Sequence, residues 1–387
     1  MPESKNLDSV PLASPIIPTP TKSSSWFIVT LFLVLFLLVV AIFVFKTSQV
    51  VPLDQFIRLP SSAGEHEPAI NAPWELVGLA LLEGPEDLAY HSKSRLIYTG
   101  CVDGWIKRVT VNESGVDTVV KKWVDTGGRP LGIAFGRHNE VIVTDPKKGL
   151  LNITQAGKMK VLTKGTKDEK FKLIDSVDVA ENGVIYFTEA SYKYSLDEFV
   201  LDILEGKPHG RLWSYDPSTK KTKLLLRNLY FANGLAISPD QNSVVFCETV
   251  MMRCRKYFIR GKKKGSVKDF IDLPGFPDNI HYDIGEDHYW IALAMASSSN
   301  SSELAHKYSL RRSINGQPND QKESINTTTG GVIVVDTKGN PTSHYYGPQF
   351  SLISSGVKIR NFVYCGSLFN LYMVRINNLQ NYSSILV

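Results

Sequence analysis

The stretch NGLAISPDQNSVVFCET, residues 233–249, contains the pattern that decides the fold. A polar residue stands before alternating apolar side chains, and Ser238-Pro239-Asp240 is typical of a tight turn. After the turn, residues 243–246 carry the β-branched and aromatic side chains that favour a strand. The stretch therefore predicts two neighbouring antiparallel strands.

This pattern recurs along the chain. Five copies begin at Glu86, Leu131, Asp175, Asn233 and Asp278. Successive copies start 45, 44, 58 and 45 residues apart. A period of about 45 residues is typical of one four-stranded blade of a β-propeller. A sixth, degenerate copy lies around residues 350–353, ahead of FVYCGSLF. We therefore predict an all-β fold, a six-bladed β-propeller over residues 73–387.

Two insertions interrupt the repeat. Ser195 and Glu198 have the spacing of a capping box, and the apolar residues after them, at positions 199, 200, 203 and 204, share one helical face. A short helix on one rim of the propeller therefore explains the interval of 58 residues. A polar stretch from about Ser297 to Gly330 predicts a long glycosylated surface loop.

The composition places the chain among globular proteins. It has 387 residues, 43% of them hydrophobic and 21% charged, with a formal net charge of +5. These values exclude a disordered chain, a collagen and a disulfide-stapled miniprotein. Lys and Arg are spread along the sequence, so we expect no nucleic-acid partner.

An uncharged apolar run, WFIVTLFLVLFLLVVAIFVF, extends from Trp26 to Phe45. About 20 helical residues match the roughly 30 Å core of a bilayer. The run is longer than the apolar part of a cleaved signal peptide, and no small-x-small cleavage site follows it in residues 46–50. We predict a cytosolic tail (1–25), a transmembrane signal anchor (26–45), a linker (46–72) and the propeller (73–387).

Glycosylation sequons and cysteines bear on the compartment. The sequons begin at Asn112, Asn152, Asn300, Asn326 and Asn381, all after the apolar run. We expect a single-pass type II glycoprotein of the endomembrane system (endoplasmic reticulum, vacuole or plasma membrane), its propeller lumenal or extracellular. The cysteines are Cys101, Cys247, Cys254 and Cys365, which allow three full pairings or buried free thiols. Cys247 and Cys254 are close enough in sequence to face each other across a hairpin.

The first residues of the repeats predict a metal site. In a propeller the innermost strands line a central channel, so equivalent residues of successive blades converge there. Oxygen donors occupy four of the five positions, with one more beside the last: Glu86, Asp175, Asn233, Asp278 and Asn279. Carboxylate and amide oxygens are the ligands that Ca²⁺ prefers. Capping of turns by the same side chains is the open alternative.

Six motifs together carry a family resemblance. They are GPEDLAY (84–90), RPLGIAF (129–135), DVAENGVIYFTEAS (178–191), HGRLWSYDP (209–217), FANGLAIS (231–238) and PGFPDNI (274–280). From about Gly84 to its end the chain resembles the strictosidine synthase-like family, which includes the adipocyte plasma membrane-associated proteins. The wider superfamily is similar to the calcium propellers of paraoxonase and diisopropylfluorophosphatase.

The resemblance implies a set of calcium ligands. They would be Glu86, Asp175, Asn233 and Asp278, with Asn279 as a further, paraoxonase-like ligand. Asp175 departs from those hydrolases, which carry Asn at this place. It keeps an oxygen donor and adds negative charge, so the implied metal site is retained.

Further departures from the family pattern limit the chemistry. Leu131 stands where paraoxonase has a channel histidine proposed as general base, so that mechanism cannot be transferred intact. Strictosidine synthase uses a glutamate of its last blade, whereas no Glu occurs between Pro341 and Val387. Condensation of an amine with an aldehyde is therefore the least favoured of the activities considered.

Two functions remain, one that acts on a small-molecule substrate and one in which the rim binds a partner or a hydrophobic ligand. The first is a calcium-dependent hydrolase of small esters or lactones, in which Asp278 is nucleophile or water-activating base by resemblance to diisopropylfluorophosphatase. The second is a noncatalytic, calcium-stabilised binding propeller, which Leu131 favours. His281 and His288 are weaker catalytic candidates, since the first lies on a predicted strand and the second beside a turn.

Overall fold

The computed structural model describes residues 74–111, 118–296, 329–347, 350 and 352–376. Within these ranges 24 strands form six four-stranded sheets, and all neighbouring strands are antiparallel. The predicted six-bladed all-β propeller is confirmed.

The first three blades follow the chain from its innermost strand outward. Blade 1 consists of β2 (Leu88–His91), β3 (Leu96–Gly100), β4 (Trp105–Thr110) and β5 (Val120–Asp125). Blade 2 consists of β6 (Ile133–Phe135), β7 (Val141–Asp145), β8 (Gly149–Ile153) and β9 (Met159–Thr163). Blade 3 consists of β10 (Leu173–Val179), β11 (Ile185–Ser191), β12 (Gly210–Asp216) and β13 (Lys221–Leu229).

The remaining blades repeat this order, except that the last one takes a strand from the other end of the chain. Blade 4 consists of β14 (Ala232–Ile237), β15 (Ser243–Glu248), β16 (Arg253–Phe258) and β17 (Val267–Asp272). Blade 5 consists of β18 (Gly275–Asp283), β19 (His288–Ala296), β20 (Thr329–Asp336) and β21 (Pro341–Gly347). Blade 6 consists of β22 (Ile353–Ile359), β23 (Phe362–Ser367), β24 (Met373–Ile376) and β1 (Trp74–Val77).

Strand β1 closes the ring of blades. It pairs antiparallel with β24 in a register that places Trp74 opposite Ile376 and Val77 opposite Met373. The repeat pattern did not predict this pairing, because one strand taken from the N-terminal side carries no copy of the pattern. Closure hides the outer edge of β24, which would otherwise offer unpaired backbone groups to another chain.

The second strand of a blade is buried on both faces. Every residue of β7, β11 and β15 is buried. These strands read as nearly continuous apolar runs because the neighbouring blades cover both of their faces. The core therefore lies between blades, for example where Phe187 and Trp213 pack with Ile142 of the preceding blade.

The predicted short helix is confirmed between β11 and β12. A 3-10 turn (Leu196–Glu198) leads into helix α1 (Phe199–Glu205). The capping box is present, since the backbone N–H of Ser195 donates to the Glu198 carboxylate at 3.1 Å. The helix ends at Gly206, whose φ of +63° is a left-handed conformation that glycine adopts easily.

The cysteine alternatives are resolved. Cys247 and Cys254 lie opposite each other on β15 and β16 and form a disulfide. Cys101 and Cys365 are buried free thiols. Burial raises the pKa of both, that of Cys101 to about 11.

Several predictions fall outside the described residues. These are the tail 1–25, the span Trp26–Phe45, the linker 46–72, residues 297–328 of the predicted loop and the sequons at Asn112, Asn300, Asn326 and Asn381. The last two residues of the predicted loop, Thr329 and Gly330, belong to β20 instead. No helix within the described ranges is long and apolar enough to cross a bilayer. Asn152 is half-buried in β8, and its glycosylation stays a prediction.

Candidate metal centre

The antiparallel order of the strands fixes which residues share a face. The first strand of each blade begins at one face of the propeller, and the second strand ends there. We name this the upper face. Glu86 precedes β2, Asp175 lies near the start of β10, Asn233 in β14, and Asp278 with Asn279 in β18. All five residues predicted as ligands therefore lie toward the upper end of the channel, on blades 1, 3, 4 and 5.

Hydrogen bonds show that these residues come together. The Asn279 side-chain amide donates to Glu86 Oε1 at 2.7 Å, across 193 positions of sequence. Asn233 Nδ2 donates to Thr249 Oγ1 at 3.2 Å, and that hydroxyl donates to the carbonyl of Pro277 at 2.7 Å. The ring is thus linked from blade 5 to blade 1 and from blade 4 to blade 5.

A glycine permits the close approach of two blades. A Cβ atom added to Gly234 would lie 2.3 Å from the backbone oxygen of Asp278. Real Cβ atoms do not approach backbone so closely, so a side chain here would push β14 and β18 apart. The glycine following Asn233 is therefore part of the construction of the site.

Three oxygens of the ring have no hydrogen-bond donor in the part of the chain that the structure describes. They are Glu86 Oε2, Asn233 Oδ1 and Asn279 Oδ1, and all are buried. Leaving a buried acceptor unsatisfied costs about 1–3 kcal/mol. Since each belongs to a residue predicted as a calcium ligand, their chemistry fits a hard cation that would accept these oxygens.

The electrostatics of the ring favour the same conclusion. Burial, followed by repulsion from Asp278 and Asp175, raises the pKa of Glu86 well above its usual value. Burial and the nearby Asp87 raise the pKa of Asp175 to about 7. The pKa of Asp278 is also raised well above its usual value, by burial and then by Asp175. A cation among these carboxylates would offset the repulsion.

The candidate metal site combines carboxylates with the side-chain amide oxygens of two asparagines. Nowhere in the described ranges do three His, Cys, Asp or Glu side chains share one position suited to a metal ion. Asn233 and Asn279 bring buried amide oxygens to the same ring as the carboxylates. An all-oxygen set of carboxylates and amides matches calcium better than metals that prefer imidazole or thiolate.

The channel wall beside this ring is apolar. Leu131 is buried against Leu173, Phe231 and Val250, and α1 packs on them through Phe199. The rings of Phe199 and Phe231 have centroids 6.5 Å apart. The polar donors of the ring therefore have packed apolar side chains as neighbours, a combination found in many small-molecule sites.

A buried hydrogen-bonded cluster centred on Asp87 lies beside the ring, and the sequence pattern did not predict it. His281 Nε2 donates to Asp87 Oδ1 at 2.7 Å, and the Ser355 hydroxyl donates to the same oxygen at 3.0 Å. The backbone N–H of Ile133 donates to Asp87 Oδ2 at 3.1 Å. Although burial lowers it, the neighbouring Asp87 carboxylate gives His281 a raised pKa overall. The adjacency of Asp87 to Glu86 was the available signal.

The two histidines occupy different surroundings. His281 is held in this cluster, whereas the half-buried His288 begins β19 beside an exposed turn, and its ring contacts the backbone oxygen of Glu286. Neither is among the residues that converge on the ring of donors.

Comparison of sequences supports the family resemblance. A model described as strictosidine synthase matches residues 175–262, and one described as strictosidine synthase-like, N-terminal, matches residues 73–109. Protein STRICTOSIDINE SYNTHASE-LIKE 4 of Arabidopsis thaliana is 50% identical over 336 residues, 85% of this chain and 89% of that protein. The adipocyte plasma membrane-associated protein of Rattus norvegicus is 34% identical over 229 residues, 55% of this chain and 59% of that protein.

Comparison of structures supports the fold. A gluconolactonase from Xanthomonas campestris superposes with a TM-score of 0.57 at 15% identity, covering 82% of this chain and 99% of its own. A luciferin-regenerating enzyme gives 0.56 at 13% identity, covering 80% and 96%. The calcium-binding protein regucalcin from Agrobacterium tumefaciens gives 0.52 at 13% identity, covering 78% and 93%. At these identities the likeness concerns the architecture alone.

Proposed function

Because the chain belongs to the strictosidine synthase-like family, we propose that it is a membrane-anchored, calcium-dependent hydrolase of small esters or lactones. The observation that carries the proposal is the set of three buried, unsatisfied oxygens on Glu86, Asn233 and Asn279. The fold is shared with a protein described as a gluconolactonase and with one described as calcium-binding, so the architecture is compatible with the proposal.

The proposed metal ligands are Glu86, Asp175, Asn233, Asp278 and Asn279. Calcium bound by them would polarise a substrate carbonyl and offset the negative charge that develops on its oxygen. The protein's own contribution is to fix the donors before substrate arrives. Thr249 does this for Asn233, and the Asn279 amide does it for Glu86 Oε1.

Asp278 is the proposed catalytic residue. Asp278 is half-buried, whereas Glu86 and Asp175 are buried, so it is the most exposed carboxylate of the ring. It would take a proton from an attacking water or attack the carbonyl carbon itself. Leu131 can do neither.

The substrate would be uncharged and partly apolar. Leu131, Leu173 and Phe231 form a wall beside the ring, and Phe199 of α1 extends it. An acyl or aryl group placed against this wall would be removed from water while its carbonyl faces the polar donors. This favours esters and lactones with an apolar portion.

The proposed location is a membrane facing the secretory lumen or the cell exterior. The apolar run Trp26–Phe45, the sequons after it and the disulfide Cys247–Cys254 support this. The rat and chicken relatives described as adipocyte plasma membrane-associated proteins support membrane association.

A noncatalytic binding propeller is the second candidate. Leu131, buried and apolar, occupies the place where the resemblance leads one to expect a basic side chain. In this alternative, calcium stabilises the ring and the wall binds an apolar ligand without turnover.

The deciding experiment is hydrolysis of a panel of aryl esters and lactones by the purified full chain, with calcium and with chelator. Asp278→Asn should reduce kcat at least a hundredfold while the far-UV circular dichroism is unchanged. Asp168→Asn, which removes a carboxyl from an exposed position, is the matched control and should retain activity. Calcium-dependent stability without turnover on any panel member would favour the binding propeller.

A further inference from the structure

The upper face carries a patch of exposed apolar side chains. Seven large apolar residues of the described chain are at least half exposed, and six of them lie on loops or the helix of this face. Five belong to three adjacent loops, at 50–59% exposure: Leu79, Leu81, Val102, Phe369 and Leu371. We name these five the rim patch. Dispersed exposed apolar residues are ordinary, but a contiguous patch marks an interaction surface.

The loops of the rim patch are joined by backbone hydrogen bonds. The N–H of Ala80 donates to the carbonyl of Leu371 at 2.9 Å, and that of Gly84 to the carbonyl of Asn370 at 2.8 Å. The N–H of Val102 donates to the carbonyl of Glu83 at 2.8 Å. These donors are satisfied within the protein, so the loops can enter an apolar medium without losing hydrogen bonds to water.

A buried lysine supports the same loops. Lys107 Nζ donates to the carbonyl of Leu81 at 2.9 Å and pairs with Asp103 at 3.0 Å. Asp103 is also paired with Lys122 at 3.4 Å, and the Lys122 side chain is 57% exposed. Glu83 is a further exposed acid on these loops. The rim patch is thus apolar at its centre, with a cation at its edge that could reach lipid phosphates.

The chain outside the described residues argues for a lipid surface as the occupant. The proposed span ends at Phe45 and β1 begins at Trp74. Residues 46–73 extend at most about 95 Å when fully stretched. Such a tether keeps the propeller close to the bilayer, and the high local concentration of lipid makes weak apolar contacts sufficient for docking.

The rim patch is continuous with the wall of the candidate site. The rings of Phe369 and Phe199 have centroids 6.5 Å apart, and Phe199 is equally close to Phe231. Apolar side chains therefore run from the rim to the channel. Docking of the rim patch would therefore bring the apolar cluster beside the ring of oxygen donors close to the lipid.

We propose that the rim patch docks on the bilayer surface, which places the upper face and its candidate site against the lipid. The docking rests on the proposed membrane anchor. It does not depend on hydrolysis, so it can be tested without any activity measurement.

The test uses the full chain in phosphatidylcholine vesicles with an environment-sensitive fluorophore on a single introduced cysteine. Leu81→Cys and Leu371→Cys report on the rim patch. Ile284→Cys is the matched control, since Ile284 is 86% exposed in the turn between β18 and β19, on the opposite face. Cys101 and Cys365 are buried, and Cys247 and Cys254 are bonded, so native cysteines do not compete for the label.

If the patch docks, the fluorophore at positions 81 and 371 should show a blue-shifted emission. Doxyl-labelled lipid should reduce this emission severalfold. Aqueous iodide should quench it severalfold less than it quenches the fluorophore at position 284. Adding Leu79→Asp to the Leu81→Cys chain should reverse these changes.

Three results would overturn the proposal. Equal exposure to iodide at all three positions, in a chain that floats with the vesicles, leaves the anchor intact but excludes docking. Protection from iodide without quenching by doxyl lipid shows that protein covers the patch instead. A chain that does not float with vesicles refutes the anchor and the docking together.

Discussion

Glu86 and Asp87 are adjacent in sequence and both buried, yet their carboxylates differ in how fully they are hydrogen-bonded. Both Asp87 oxygens accept hydrogen bonds, from Leu88, Ile133, His281 and Ser355. Glu86 has one oxygen bonded to Asn279 and one with no donor among the described residues. A carboxylate that holds the fold together is satisfied by the protein, whereas one kept for a ligand is not. Substitutions at the two positions should therefore separate stability from metal binding.

The largest effect on stability is expected at Asp87. Asp87→Ala leaves His281, the Ser355 hydroxyl and the Ile133 N–H without their shared acceptor. Removing one partner of a buried, charged cluster costs about 3–5 kcal/mol in free energy of unfolding. Urea denaturation of the full chain, followed by circular dichroism, measures it. Asp168→Ala, at an exposed position, should change it by less than about 0.5 kcal/mol. Equal losses in both variants would contradict the role of the cluster.

The opposite behaviour is expected at Glu86. Glu86→Gln removes a buried charge that is repelled by Asp278 and Asp175, so the calcium-free protein should be as stable as wild type or more so. Its calcium affinity should fall about 10- to 100-fold, which is about 1.4–2.7 kcal/mol. Calorimetric titration with calcium measures the affinity, and Glu181→Gln on the surface is the control. Unchanged affinity would remove Glu86 from the ligand set.

The stability of the folded protein should also depend on pH through the carboxylates of the ring. A carboxyl whose folded pKa is raised stabilises the fold below its unfolded pKa and loses that contribution as pH rises through the folded pKa. For Asp175 this window runs from about 3.9, the ordinary aspartate value, to about 7. Chelated protein should therefore lose stability across this range, by up to about 1.4 kcal/mol per pH unit for each such group.

With calcium bound, the loss should be much smaller, because the cation stabilises the ionised carboxylates. Thermal melting from pH 4 to 8, with calcium and with chelator, tests this. The gap between the two melting temperatures should widen as the pH rises. Parallel curves would show that calcium does not bind these carboxylates.

The smallest effect is expected at Thr249, which supports the ring without belonging to it. Thr249→Val removes the hydroxyl that accepts from Asn233 and donates to the Pro277 carbonyl. We expect a severalfold loss of calcium affinity and a destabilisation of about 1 kcal/mol. Thr249→Ser, which keeps the hydroxyl, should restore both. A calcium affinity unaffected by either substitution would show that Asn233 needs no such support.

The comparison also explains what the sequence could predict. Glu86, Asp175, Asn233 and Asp278 stand at equivalent places in the repeat, so the propeller pattern alone predicts that they converge. The Asp87 cluster has no such regularity, since Asp87 meets His281 across 194 positions and Ser355 across 268. Nothing in the local pattern pairs these residues, and chain closure brings them together.

The strand β1 was missed for a related physical reason. A strand of four residues, WELV, with no turn or partner near it in sequence, has too little pattern to be assigned. These residues form a strand because they pair with the otherwise exposed edge of β24. The helix α1, in contrast, was predictable because its capping box and apolar face are local.

The pairing of β1 with β24 has a consequence for how the protein is made. Residues 74–77 leave the ribosome about 300 residues before residues 373–376, so the ring cannot close during most of synthesis. Until then both edges remain open to wrong partners, which is the hazard of folds with long-range contacts. The bond from Asn279 to Glu86 joins blades 5 and 1, on either side of this late blade. Binding of calcium to the proposed site would therefore depend on closure of the ring, late in synthesis.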